Sequence, residues 1–92
     1  MRVTAAFHGV LSGFIGTERA EFELGEGALY GDLLTAIARG WRRNMPDQMW
    51  DDQAVCFRKP ILATSGGRTV ADPATPLQDG QEIKFLLMAA GG

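Results

Sequence analysis

One long stretch of this chain repeats its apolar residues at helical spacing. Tyr30, Leu33, Leu34, Ile37 and Trp41 share a stripe, which predicts a helix from about 30 to 43. Asp32 lies near its positive end and Arg39, Arg42 and Arg43 near its negative end, as the helix dipole prefers. Gly40 makes the last turn a soft spot, at about 1 kcal/mol relative to alanine. Asn44 can close the helix, and Pro46 opposes its continuation. With one long helix, the rest of the core must come from strands.

Alternation supplies them. Val3, Ala5 and Phe7 share one face of 2–8, and Ala20, Phe22 and Leu24 share one face of 18–24, predicting a β-hairpin. The intervening "GVLSGFIG" reads as tight turns at Gly9, Gly13 and Gly16. Later, "AVCF" and "PILATS" read as one bent strand or two short ones around Pro60, and "SGGR" as a hairpin turn into "RTV". An Asp79-Gly80 turn then precedes a strand from Glu82 to Met88. The expected fold class is α+β, with one helix across one face of a small mixed sheet. At 92 residues there is room for one core, so a single domain over 1–92 is expected.

Composition narrows the function classes. Net charge is −2, and the arginine cluster sits where a helix dipole explains it, so no nucleic-acid partner is expected. Cys56 is the only cysteine, which excludes an internal disulfide and a paired-cysteine zinc site. It reads as a small buried hydrophobe. Asp47, Asp51 and Asp52 lack the spacing of a hard-cation loop and read as a solvated acidic surface, so no metal is expected. His8, the only histidine, reads as a strand-surface residue, and no catalytic constellation accompanies it. "MRVTAAF" lacks the ordered parts of a signal peptide. No run reaches the ~20 apolar residues of a membrane span. A cytoplasmic location without a membrane partner is expected.

Residues 45–53, "MPDQMWDDQ", predict a short helical turn from Pro46, with Met45, Met49 and Trp50 as core padding. The last strand is less ordinary. If Ile83, Phe85 and Leu87 face the helix, then Lys84, Leu86 and Met88 face away. Lys84 suits water; Leu86 and Met88 do not. Either residues 44–57 cover that side or an apolar patch there meets a partner.

Four pieces of the chain carry a resemblance. They are "VTAAFHGVLSGFIG", the helix start "ALYGDLL", the late turn "TPLQDGQEIKFLL" and the terminal "AAGG". In order and spacing the chain resembles the MoaD/ThiS family of ubiquitin-like, β-grasp sulfur carrier proteins. The length of 44–57 leans toward the molybdopterin synthase small-subunit branch. Leu29, where the family often has a threonine cap, and Leu87-Met88, where that branch often has prolines, depart from the pattern.

The resemblance implies a β-grasp with a four- to five-stranded mixed sheet, and a flexible Gly-Gly tail at 89–92. It implies a carrier that is not itself an enzyme and binds no cofactor. A ubiquitin-activating-enzyme-like partner uses ATP to adenylate the Gly92 carboxylate, and sulfur attack gives a thiocarboxylate. A sulfur-accepting synthase subunit or acceptor enzyme then uses it. Gly91 and Gly92 would form the reactive end. Phe7, Leu86, Met88, Ala89 and Ala90 would meet partners, while Phe85 and Leu87 would anchor the last strand. A ubiquitin-like modifier joined through Gly92 to target lysines uses the same tail, and a plain interaction module would dispense with it. Molybdenum or tungsten cofactor, thiamine, cysteine and tRNA thiolation pathways all remain open.

Overall fold

A computed structural model describes residues 1–88 of the chain. The expected tail at 89–92 lies outside the described residues. The first hairpin forms as its alternation predicts. β1 (Arg2–Phe7) and β2 (Arg19–Glu23) run antiparallel, with Val3 opposite Phe22 and Ala5 opposite Ala20.

The connection between them is not a set of turns. It is a six-residue helix, α1 (Val10–Ile15), bracketed by Gly9 at φ 60° and Gly16 at φ 92°. Leu11 and Ile15, four residues apart, are buried, whereas Val10 and Phe14 share the exposed side.

The long helix, α2 (Tyr30–Trp41), buries Tyr30, Leu33, Leu34 and Ile37. Its start is half capped. The Asp32 carboxylate accepts the Leu29 N–H at 2.8 Å, but leucine has no side-chain oxygen to complete a capping box. The helix ends with its apolar stripe at Trp41, just short of the expected 43, and tightens into a 3₁₀ turn over Arg42–Asn44. Asn44 does not close it. Its side-chain amide instead donates to the Ile15 carbonyl at 3.0 Å, tying α1 to this turn.

Met45, Met49 and Trp50 are buried, as their pattern predicts. The turn at Pro46 closes through the Met49 N–H, and β3 (Trp50–Asp51) then pairs with β4 (Cys56–Phe57) in a small hairpin. Arg42 pins this excursion to the end of α2. Its guanidinium donates to Asp52 at 2.7 and 3.0 Å, to Asp47 at 2.8 Å and to the Met45 carbonyl at 2.8 Å. Asp51 accepts the Gln53 and Ala54 N–H groups. The acidic residues therefore serve a turn and an arginine. Among the described residues, no cluster of His, Cys, Asp and Glu is placed to hold a metal.

β5 (Ile61–Ser65) and β6 (Arg68–Val70) form the glycine-turn hairpin, with Gly66 and Gly67 at φ 59° and 79°, as a two-residue hairpin turn requires. β7 (Glu82–Leu87) completes a five-stranded mixed sheet in the order β2-β1-β7-β5-β6. It runs parallel to β1 and antiparallel to β5. The expected α+β class with one main helix is what the chain adopts.

Aromatic contacts locate the core. Trp41 meets Phe22 and Phe7 at 5.9 and 6.4 Å, placing the end of α2 over β1 and β2. Phe57 meets both Trp50 and Phe85 at 4.9 Å. Since Phe85 also stacks with Tyr30 of α2 at 6.5 Å, the 45–57 excursion lies on the same side of the sheet as α2. It does not cover the other side. No described helix is long and apolar enough to cross a membrane.

Candidate functional site

The last described strand, β7, is the central one, and this fixes where the described chain ends. Because β7 is parallel to β1, its end lies beside the start of α1. Phe7 opposite Phe85 is the last pair of that ladder, and the His8 N–H then donates to the Phe85 carbonyl at 3.0 Å. On the other side, Ile61 still pairs with Leu87. The Met88 N–H donates to the Pro60 carbonyl at 3.1 Å, close to the end of the described chain.

Alternation along β7 divides its residues as expected up to Phe85. Ile83 and Phe85 are fully buried under α2 and the 45–57 excursion. On the outer face, Lys84 is exposed beside Glu82, which also pairs with Arg19 at 2.6 Å. Leu86 lies opposite Leu62, and both are half-buried. Met88 is 46% exposed. The outer face is thus charged where β7 begins and apolar where it ends, with no second layer over Leu62 and Leu86 among the described elements.

Two expectations fail here. Phe7 is only 2% exposed and its ring stacks on Phe85, so it belongs to the core and presents no surface to a partner. Its position on the inward face of β1, beneath Trp41, explains this. Leu87 fails in the opposite sense. It is 47% exposed, since β1 has already ended and leaves it no neighbour on that side. It stands at a rim with Val10 and Phe14, which are 53% and 47% exposed. Sequence reasoning missed these two because their segment read as turns. The available signal was the four-residue spacing of both apolar pairs, Leu11 with Ile15 and Val10 with Phe14, between two glycines.

The titratable groups nearby are not poised for chemistry. Burial pushes the Tyr30 phenol well up, and burial likewise raises the Cys56 thiol, keeping it protonated at neutral pH. Cys56 is half-buried against the core, close to its expected role. His8 is exposed just after β1. Ala89, Ala90, Gly91 and Gly92, the expected reactive arm, lie outside the described residues.

A central last strand parallel to the first, with one helix laid across the sheet, is an arrangement shared with solved proteins. SAMP1 from Haloferax volcanii superposes with a TM-score of 0.81 at 16% identity, over 100% of both chains. The fold is the β-grasp. A second crystal structure, of H. volcanii small archaeal modifier protein 1, gives 0.78 at 15% identity over 96% of this β-grasp chain and 98% of that one. A Pyrococcus furiosus protein assigned as molybdopterin converting factor, subunit 1, gives 0.69 at 22% identity over 92% and 94%. No protein-family model matches the chain, and no curated protein matches it in sequence. The β-grasp neighbours therefore include a small archaeal modifier protein and a molybdopterin converting factor subunit.

Proposed function

We propose that this protein is a sulfur carrier whose working group is the carboxylate of Gly92. The observation that carries the reading is the exit of the chain. The last strand is held centrally in the sheet, and it leads past Met88 directly into Ala-Ala-Gly-Gly. That central strand is thereby followed in sequence, after Met88, by four residues that are thin in side chain. Glycines at the end permit close backbone approach inside a narrow site.

A carboxylate is a poor acyl donor, because its leaving group is bad. An ATP-dependent adenylating partner converts it to an acyl-adenylate with loss of pyrophosphate. A sulfide equivalent then attacks the carbonyl, AMP departs, and a C-terminal thiocarboxylate remains for an acceptor enzyme. ATP belongs to the partner, and the chain supplies the acyl group. The likeness to a molybdopterin converting factor subunit supports molybdopterin-type cofactor synthesis as the destination.

A second reading has its own support in the likeness to small archaeal modifier protein 1. Here Gly92 is joined to lysines of target proteins. Mass spectrometry separates the two. The carrier reading expects intact chain with one terminal oxygen replaced by sulfur, and the modifier reading expects isopeptide-linked adducts. Gly92→Ala is expected to slow activation, and a residue added after Gly92 to block it. Normal thiocarboxylate formation by an untrimmed, extended chain overturns the proposal.

A further inference from the structure

The inward face of the β5–β6 hairpin is floored by small side chains, with Ala63 opposite Val70. Over it stands a pocket of about 210 Å³. Its walls are Tyr30 at the start of α2, Cys56 and Phe57 of β4, and Phe85 of β7. Close-packed interiors leave few voids larger than a water molecule, so open space of this size beside the core is unusual. Tyr30 is 6% exposed, and its hydroxyl makes no hydrogen bond to any described residue. A buried tyrosine hydroxyl normally finds a partner. This one is not sealed in, since no fully buried side-chain oxygen lacks a partner among the described residues. It lies within electrostatic reach of the Cys56 thiol, which lines the same pocket, so the free hydroxyl is on the pocket side of its ring.

The polar groups of the lining all donate. Burial keeps both the Tyr30 phenol and the Cys56 thiol protonated, so each offers a hydrogen. Lys59 is the one charged residue in the lining, is exposed, and makes no ion pair among the described residues. No acidic side chain lines the pocket. The remaining wall is apolar and aromatic, with Phe85 between Tyr30 and Phe57. Size sets the guest. An apolar cavity of about 150 Å³ suffices for benzene, whereas drug-sized ligands occupy roughly 300–1,000 Å³. We infer that this pocket binds a small aromatic carboxylate, with one ring against Phe57 and Phe85, an acceptor oxygen on the Tyr30 hydroxyl and its charge facing Lys59. The site is separate from Gly92 and stands whichever reading of the tail holds.

The test titrates the full chain with para-hydroxybenzoate at low salt and follows the backbone amide resonances. Saturable shifts at Cys56, Ala63 and Val70 are expected, with a Kd of about 1 mM or tighter. Tyr30→Phe keeps the ring and removes the hydroxyl, and is expected to weaken binding about threefold to tenfold. Lys59→Gln is expected to weaken it about twofold to fivefold at low salt, a difference that high salt removes. Ala63→Val fills the floor and is expected to abolish saturation, with thermal melts verifying that every variant folds. Saturating para-hydroxybenzoate is also expected to slow alkylation of Cys56 by iodoacetamide. Unsaturated shifts, or saturable shifts confined to residues away from the pocket, overturn the inference. So does equal affinity of the wild-type chain and both folded variants, Tyr30→Phe and Lys59→Gln. Equally tight binding of para-hydroxybenzyl alcohol, which has the ring without the charge, overturns the choice of a carboxylate.

Discussion

The rings of Phe7 and Phe85 stack at 5.6 Å across the parallel pair of first and last strands, inclined by 18°. Phe85 also meets Tyr30 of α2 and Phe57 of β4, so one side chain joins the sheet, the helix and the excursion. Phe85→Ala is expected to cost about 3–5 kcal/mol, read as a lowered urea midpoint with an unchanged slope. Phe7→Leu, which keeps most of the volume, is expected to cost about 1–1.5 kcal/mol and leave activation by a partner intact. If Phe7→Leu weakens activation while stability is unchanged, Phe7 is a partner contact after all.

The ends of α2 offer opposite repairs. Leu29 has the extended backbone of an N-cap, at φ −109° and ψ 165°, and the Asp32 carboxylate already supplies its half of the capping box by accepting the Leu29 N–H. Leu29→Thr supplies the missing oxygen and is expected to add about 0.5–1 kcal/mol. A thermal melt that falls instead shows that the packing of the half-exposed leucine outweighs the cap.

Two helical glycines separate propensity from sterics. Apart from its chain neighbours and the adjoining helix backbone, a Cβ on Gly40 meets no atom within 4 Å, whereas one on Gly31 comes within 3.2 Å of the Pro73 side chain and 3.3 Å of its carbonyl oxygen. Gly40→Ala is expected to add about 1 kcal/mol, or roughly 4–8 °C in Tm. Gly31→Ala is expected to gain less than that or to destabilise, because Gly31 also donates its N–H to the Pro73 carbonyl at 2.9 Å and cannot move freely away. Equal gains at the two positions would show that the Pro73 loop yields at no cost.

How much of this was legible depended on length of pattern. β1, β2 and α2 each carry enough periodic residues to declare their type, and Gly66-Gly67 declares its turn. α1 holds only six residues between glycines, so its four-residue spacing competed with an equally good turn reading. The fate of Leu87 was not readable from alternation, which assigns a face but not how far the covering layer extends along it. The buried side of the 45–57 segment was readable from Met45, Met49 and Trp50. Which face of the sheet it covers depended on Phe57 reaching Phe85, a contact between separate elements. For the site, the composition of the tail pointed to its exit, whereas the Val10–Phe14 rim required the parallel pairing of β7 with β1.

The excursion that forms one wall of that rim is fastened by charge, so its attachment should respond to acid. Hydrogen bonding from Arg42 holds the Asp52 carboxyl below the ordinary carboxylate range, and Coulombic attraction to Arg42 and Arg58 adds to this. A carboxyl depressed in the folded state contributes stability that is fully present above its unfolded pKa. That contribution is lost as pH falls through the folded value. The Tm difference between wild type and Arg42→Met should therefore be constant near neutrality and shrink below about pH 4, where Asp52 begins to take up protons in the unfolded chain. Asp52→Asn should lower the neutral-pH Tm and make the remaining effect of Arg42→Met less sensitive to acid. Salt should weaken the effect only in part, because the Arg42 guanidinium also donates to the Met45 carbonyl, an acceptor that does not titrate. A Tm difference that persists unchanged through strong acid would assign the role of Arg42 to that carbonyl bond and to the packing of its stem.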